Sequence, residues 1–334
     1  MSAKTASTSA FQAPPWQHNY AGGCRQVGIE LEMAGIKPEQ MAAAVTTVIG
    51  GRAERKSAFH TLVKDTELGD FSIELDADIL KNRGYQTALA EVGIDLGKGE
   101  TRDTLETALS RVAGLVVPME LVAPPVAWTE LARLDQIRLE LHRAGARGTH
   151  ASTFYAFGMQ LNIEVASLDA DHSLAILRAF LLKYDWLLER SKVDLTRRIS
   201  PYVQAYPEDY VNHVLNPAYA PDIAQLIDDF LRLTPTRNRP LDMLPLFAHI
   251  DHDRVMAAEV EKDLIKPRPA FHYRLPNCLI DEPDWTLAIA WNDWLEIERL
   301  AADSDRLERV LKQHAEQPGL LGTLLNKTEA WLKK

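Results

Sequence analysis

Val27-Gly28-Ile29-Glu30-Leu31-Glu32-Met33 alternates strictly between apolar and non-apolar residues. Successive side chains of a strand point to opposite faces, so a period of two marks a strand with one buried face. Val27, Ile29, Leu31 and Met33 form the apolar set, and Gly28, Glu30 and Glu32 lie opposite. Further stretches repeat the pattern. Phe71-Ser72-Ile73-Glu74-Leu75-Asp76 sets Ser72, Glu74 and Asp76 against three apolar residues. Residues 157–165 set Gly158, Gln160, Asn162 and Glu164 against an apolar face, and Phe271-His272-Tyr273-Arg274-Leu275 puts His272 and Arg274 together. The stretch 116–122 is a weaker strand, whose Pro118 predicts a sheet edge or a strand start.

Between these strands the apolar period becomes helical. Pro38 opens a helix that Gly50-Gly51 closes, with Met41, Val45, Val48 and Ile49 on one face. Further helices are predicted at 101–113, 127–144, 168–192, 223–233, 244–250, 285–302, 305–315 and 320–333. The longest carries Leu174, Leu177, Leu181, Trp186 and Leu188 as its apolar side. Trp291 and Trp294 near the C-terminus pack on the body or on a second subunit, the body being the default. The expected class is α+β: a sheet with helices packed on its apolar face and a polar face opposite. Residues 1–20 read as a flexible leader rich in Ser, Ala and Pro. Residues 21–334 read as a single domain, with a helical insertion at about 194–244 and a helical C-terminal segment.

Formal charge is −10, from 37 basic and 47 acidic residues among 334. No basic stripe exceeds Thr196-Arg197-Arg198 or Thr236-Arg237-Asn238-Arg239, which argues against a nucleic-acid partner. No run of eighteen apolar residues occurs, so no membrane helix is expected. The first twenty residues lack the apolar core of a secretory signal, and the cytoplasm is the default location. Two cysteines, Cys24 and Cys278, do not make a disulfide scaffold. The P-loop, the dinucleotide-binding glycine motif, the GxSxG elbow and HExxH are all missing.

Glu30 and Glu32, two apart on one strand, have Cβ atoms roughly 6–7 Å apart on one face. Two such carboxylates repel unless a cation intervenes, and hard cations such as magnesium take oxygen ligands. Taken alone, the pair also fits a solvated sheet face. A solvated face ordinarily mixes charge signs across strands. Here Glu74, Asp76, Glu120 and Glu164 add further acids, while His272 and Arg274 appear on a late strand. That is the composition a metal–phosphate site requires. Gly28 and Gly158 inside strands mark either a close approach by ligand or backbone, or a bulge. Arg274 reads as a phosphate contact or as a surface ion pair. His249-Ile250-Asp251-His252 looks like a metal pair, but its place at a helix end favours a cap.

Residues 27–32 resemble the opening metal-binding strand of the amidoligases, and of glutamate–cysteine ligases and glutamine synthetases. Met119-Glu120-Leu121-Val122-Ala123-Pro124-Pro125 resembles the second block of the amidoligase family, Gly158-Met159-Gln160-Leu161-Asn162 the third, and Tyr273-Arg274-Leu275-Pro276-Asn277 the late arginine block. The resemblance runs in family order from about residue 25 to 280. It implies a glutamine synthetase-like fold, a curved, mainly antiparallel sheet backed by helices, and ATP-dependent joining of a carboxylate to an amine through an acyl phosphate. It assigns Glu30, Glu32 and Glu120 to magnesium, and Gly28, Gln160, Asn162 and Arg274 to the nucleotide. Arg274 also acts on the transferred phosphoryl group, and Glu74 or Asp76 stands as the base on geometry. An amino acid, γ-glutamyl or peptide substrate and a glutamine amidotransferase-like partner are implied too. The chain departs from the family where Gln160 or Asn162 replaces a common histidine, and around Lys64-Asp65 and Asp70-Phe71-Ser72. A relative that binds without turnover, or a metal-dependent amide hydrolase, is the alternative.

Overall fold

The structure is a computed structural model that describes residues 10–76, 118–149, 157–191 and 203–316. The helices expected at 101–113 and 320–333 lie outside the described residues. Among the described residues nine strands form one open sheet: β1 (Gln26–Met33), β2 (Arg52–Arg55), β3 (Thr61–Lys64), β4 (Phe71–Leu75), β5 (Met119–Val122), β6 (Val126–Ala127), β7 (Met159–Glu164), β8 (Leu241–Asp242) and β9 (Ala270–Tyr273). Their order is β2-β3-β4-β5-β1-β7-β9-β8, and β6 pairs with the start of β1. Every pairing is antiparallel. The class is therefore α+β with an antiparallel sheet. Pro118 marks a strand start, since β5 begins at the next residue and lies inside the sheet.

Nine α-helices are described: α1 (Pro38–Ile49), α2 (Leu131–Arg143), α3 (Ala170–Arg190), α4 (Glu208–Leu215), α5 (Ile223–Leu233), α6 (Leu244–Ile250), α7 (His252–Ala257), α8 (Leu287–Ala302) and α9 (Ser304–Glu316). The α1 helix ends where the glycines predict. A Cβ on Gly51, at φ +92°, would stand 2.6 Å from the Lys64 carbonyl oxygen. Val27, Ile29, Leu31 and Met33 of β1 are buried, as are Phe71 and Ile73 of β4 and Leu161 and Ile163 of β7. Each such side chain contributes about 1.5–3 kcal/mol by leaving water. Trp291 and Trp294 are buried within this body; the Trp294 ring lies 5.4 Å from that of Tyr273 and 6.0 Å from that of Phe271. Trp186, expected on the apolar side of α3, is instead exposed beneath Lys183, because it falls off the stripe of Leu174, Leu177 and Leu181.

Arg25 ties the entry of β1 to α8. Its guanidinium grips Glu298 at 2.6 and 3.0 Å, and both residues are buried. Arg25 also donates to the carbonyls of Trp16 and Glu164, and Trp294 Nε1 donates to Glu298. Residues that precede β1 are held on α8 as well: Trp291 Nε1 donates to the Gln12 carbonyl and Asn292 Nδ2 to that of Ala10. Within the expected insertion, α4 and α5 are helical, and Leu241-Asp242 rejoins the sheet as β8.

Candidate active site

Register decides which polar side chains meet, and strand alternation alone does not fix it. Glu120 on β5 stands directly opposite Glu32 on β1 and Glu74 on β4. Residues so opposed have Cβ atoms roughly 5 Å apart. Three carboxylates thus line up across three adjacent strands, and Asp76 follows Glu74 on the same face by alternation. Glu30 occupies the next row, opposite Gln160 on β7. A third row runs Gly28, Asn162, His272, Asp242 across β1, β7, β9 and β8.

The two ends of this face differ in exposure. Glu30, Glu32, Glu74 and Glu120 are half-buried, whereas Gln160, Asn162, His272 and Asp242 are buried. Glu120 stands at the centre of the acid row, with a glutamate on the strand at either side. Burial raises its pKa well above that of an ordinary carboxyl, and the charges of Glu30, Asp76, Glu32 and Glu74 add to the effect. The site holds more negative charge than it can neutralise alone.

Glu30 and Glu32 both reach toward β7, on the side away from Glu120. Glu30 Oε1 accepts from Asn162 Nδ2 at 2.7 Å, and Glu32 Oε2 accepts from the Gly158 N–H at 2.6 Å. Among the described residues, no three His, Cys, Asp or Glu side chains converge closely enough to hold a metal ion. The donor set is nevertheless all oxygen and overcharged, the chemistry that suits a hard divalent cation.

Gly28 pairs in regular register with Asn162, so it is not a bulge. A Cβ there would lie 3.3 Å from Asn162 Cβ and 3.5 Å from Nδ2. Glycine makes room for Asn162 to lean across to Glu30. Gln160 Nε2 donates to Asn162 Oδ1 at 2.6 Å and lies 3.1 Å from His272 Nδ1. Arg274 sits at the far end from the acid row, where Nη2 meets Asp242 Oδ2 at 3.0 Å. Asp242 is 1% exposed; burial raises its pKa and Arg274 opposes the rise. Asp242 and His272 belong to the face but not to the expected site. The available signal for Asp242 was a lone acid within Leu241-Asp242-Met243-Leu244. Asp251, in the suspected histidine pair, caps α7 by accepting from the Arg254 N–H.

A cavity of about 360 Å³ opens at the end of α3 and the start of α8, lined by residues including Arg190, Asn277, Glu282, Asp284, Trp285 and Asp293. It does not coincide with the acid row. The two are linked through Gly158, which bridges Asn277 and bonds Glu32.

Residues 24–296 match a family model described as "putative amidoligase enzyme". No curated protein and no solved structure is matched. Among the described residues, no helix is long and apolar enough to cross a membrane.

Proposed function

Since the chain belongs to the amidoligase family, we propose that it joins a carboxylate to an amine with consumption of ATP. In this reading the substrate carboxylate attacks the γ-phosphorus, ADP leaves, and the amine then displaces phosphate from the acyl phosphate to give the amide. The observation that carries the reading is the alignment of Glu74, Glu120 and Glu32 across three strands, with Glu30 in the next row. Glu30, Glu32 and Glu120 would hold magnesium, which supplies charge neutralisation for phosphate oxygens when bound. The chain's own groups then act by position and charge. In this reading Arg274 contacts the transferred phosphoryl group, and its hydrogen bond to Asp242 holds the guanidinium in place. Glu74 or Asp76 takes the amine's proton. Glu282 and Asp284 give the neighbouring cavity the charge that an ammonium group prefers.

The test is ADP release in a screen of amino acids, γ-glutamyl compounds and short peptides paired with amines. Release that needs both substrates, and that is lost in Glu32→Gln, supports the proposal. Amide cleavage without ATP would replace it with the hydrolase reading. A second reading, binding without turnover, is favoured by the engagement of Gln160 and Asn162 with each other and with their neighbours. It predicts nucleotide binding with no product from any pair.

A further inference from the structure

The family resemblance assigns Asn162 to the nucleotide, yet its amide is turned to Glu30 and fixed from three sides. Asn162 is 7% exposed and pairs with Gly28 across β1 and β7. The missing side chain at Gly28 gives the amide room to lean toward Glu30. A carboxylate only accepts hydrogen bonds, so the part of the amide that meets Glu30 is its NH₂ group. The Asn162 oxygen must then face Gln160, whose own NH₂ group donates to it at 2.6 Å. Reversing the Asn162 amide would set oxygen against carboxylate and NH₂ against NH₂. The amide is therefore held in one orientation, and so is the bond it makes.

That bond occupies Oε1 of Glu30 at 2.7 Å. Glu32 is met from the same strand, where the Gly158 N–H donates to its Oε2. A carboxylate can chelate a cation through both oxygens only by giving up such a bond. Calcium takes about six to eight oxygens in flexible geometry and readily accepts chelating carboxylates. Magnesium is smaller and demands near-ideal octahedral geometry, which the narrow bite of a chelating carboxylate spoils. A glutamate with one oxygen already engaged is matched to magnesium rather than to calcium.

We propose that Asn162 is a positioning residue: by holding Oε1 of Glu30 it limits this carboxylate to one metal bond and selects magnesium over calcium. It acts through Glu30 and touches neither the metal nor the reacting atoms. Gly28 and Gln160 serve the same end, one by leaving space for the amide and the other by fixing its direction. The proposal rests on the ligase reading, which assigns Glu30 to magnesium, and adds what selects that ion.

The experiment is a calorimetric titration of the full chain with ATP in excess magnesium and, separately, in excess calcium, with no carboxylate or amine substrate present. The quantity read is the ratio of the two dissociation constants. Wild type is expected to bind ATP more tightly with magnesium. Asn162→Leu, close in size and without a donor, is expected to move the ratio about tenfold toward calcium, the scale on which partners of metal-binding side chains act. Gly28→Ala keeps the amide but crowds it, since the added Cβ stands 3.3 Å from Asn162 Cβ, and is expected to move the ratio the same way. Should Asn162→Leu fail to fold, Gly28→Ala decides. A wild type without preference for magnesium overturns the proposal. So does an unchanged ratio in the variants, even where stability falls or both affinities weaken alike, because Asn162 would then be a structural residue or a nucleotide contact. That result leaves the ligase reading intact. Absence of ATP binding with either cation in the wild type refutes the magnesium assignment itself, and the proposal with it.

Discussion

Glu120 faces Glu32 directly across the β5–β1 pairing, and Glu74 flanks Glu120 from the other side. Like charges so opposed destabilise a sheet. The arrangement costs stability in the absence of a ligand, and under the proposed reading a bound magnesium ion would offset that cost.

The first prediction follows from the raised pKa of Glu120. A carboxyl whose folded pKa lies above its ordinary value of 4.5 binds its proton more tightly in the folded state. Its contribution to stability is therefore full below that ordinary value and is lost as pH rises through the raised one. With EDTA present, thermal stability should fall across this window. Glu120→Gln should flatten the fall and raise Tm at neutral pH by a few degrees, as roughly 1 kcal/mol does in a domain of this size. An unchanged pH profile in the variant would remove Glu120 as its source.

A second pH effect, opposite in sign, comes from His172. Burial, aided by the charge of Arg25, holds its pKa down at about 4. The folded state then binds fewer protons than the unfolded chain between the ordinary 6.5 and 4, so stability present above 6.5 is lost as pH falls toward 4. The loss amounts to about 3 kcal/mol. Denaturant unfolding of His172→Gln from pH 7 to pH 4 should show a correspondingly smaller loss. The variant should also be less stable at pH 7, because the edge-on contact with Trp16 at 4.8 Å is gone.

The Arg25–Glu298 pair is buried on both sides and doubly hydrogen-bonded. Glu298→Ala leaves a buried guanidinium without its carboxylate, which costs about 3–5 kcal/mol. Urea unfolding measures it. A cost below about 1 kcal/mol would place this pair with surface ion pairs instead.

Gly28→Ala tests the packing beneath the site. The added methyl meets Asn162 Cβ at 3.3 Å and displaces the amide that reaches Glu30. Overpacking of this kind costs about 1–3 kcal/mol. A variant as stable as the wild type, with an unchanged Asn162 amide resonance, would show that the space over Gly28 is not limiting.

The long alternating strands were legible because one face of each is buried: Val27, Ile29, Leu31 and Met33 reveal β1 without any neighbour. The strands β2 and β8 were not. Arg52-Ala53-Glu54-Arg55 lies at the sheet edge with little to bury, so no alternation is imposed, and Leu241-Asp242 is too short to show a period. The acids of the site could be named from their faces, but their grouping could not. Glu32 meets Glu120 and Glu30 meets Gln160 only through register, a property of paired strands rather than of either one. The pairing of Asp242 with Arg274 was hidden for the same reason, since the partners stand 32 positions apart along the chain.

The most direct test of the central claim is thermal unfolding with magnesium and ATP, added singly and together, on wild type and Glu30→Gln. A ligand that binds only the folded state stabilises it by about 2.7 kcal/mol at one hundred times its Kd. The account predicts a rise in Tm that needs both ligands in the wild type and disappears in Glu30→Gln. No rise in the wild type, or an equal rise in the variant, would contradict it.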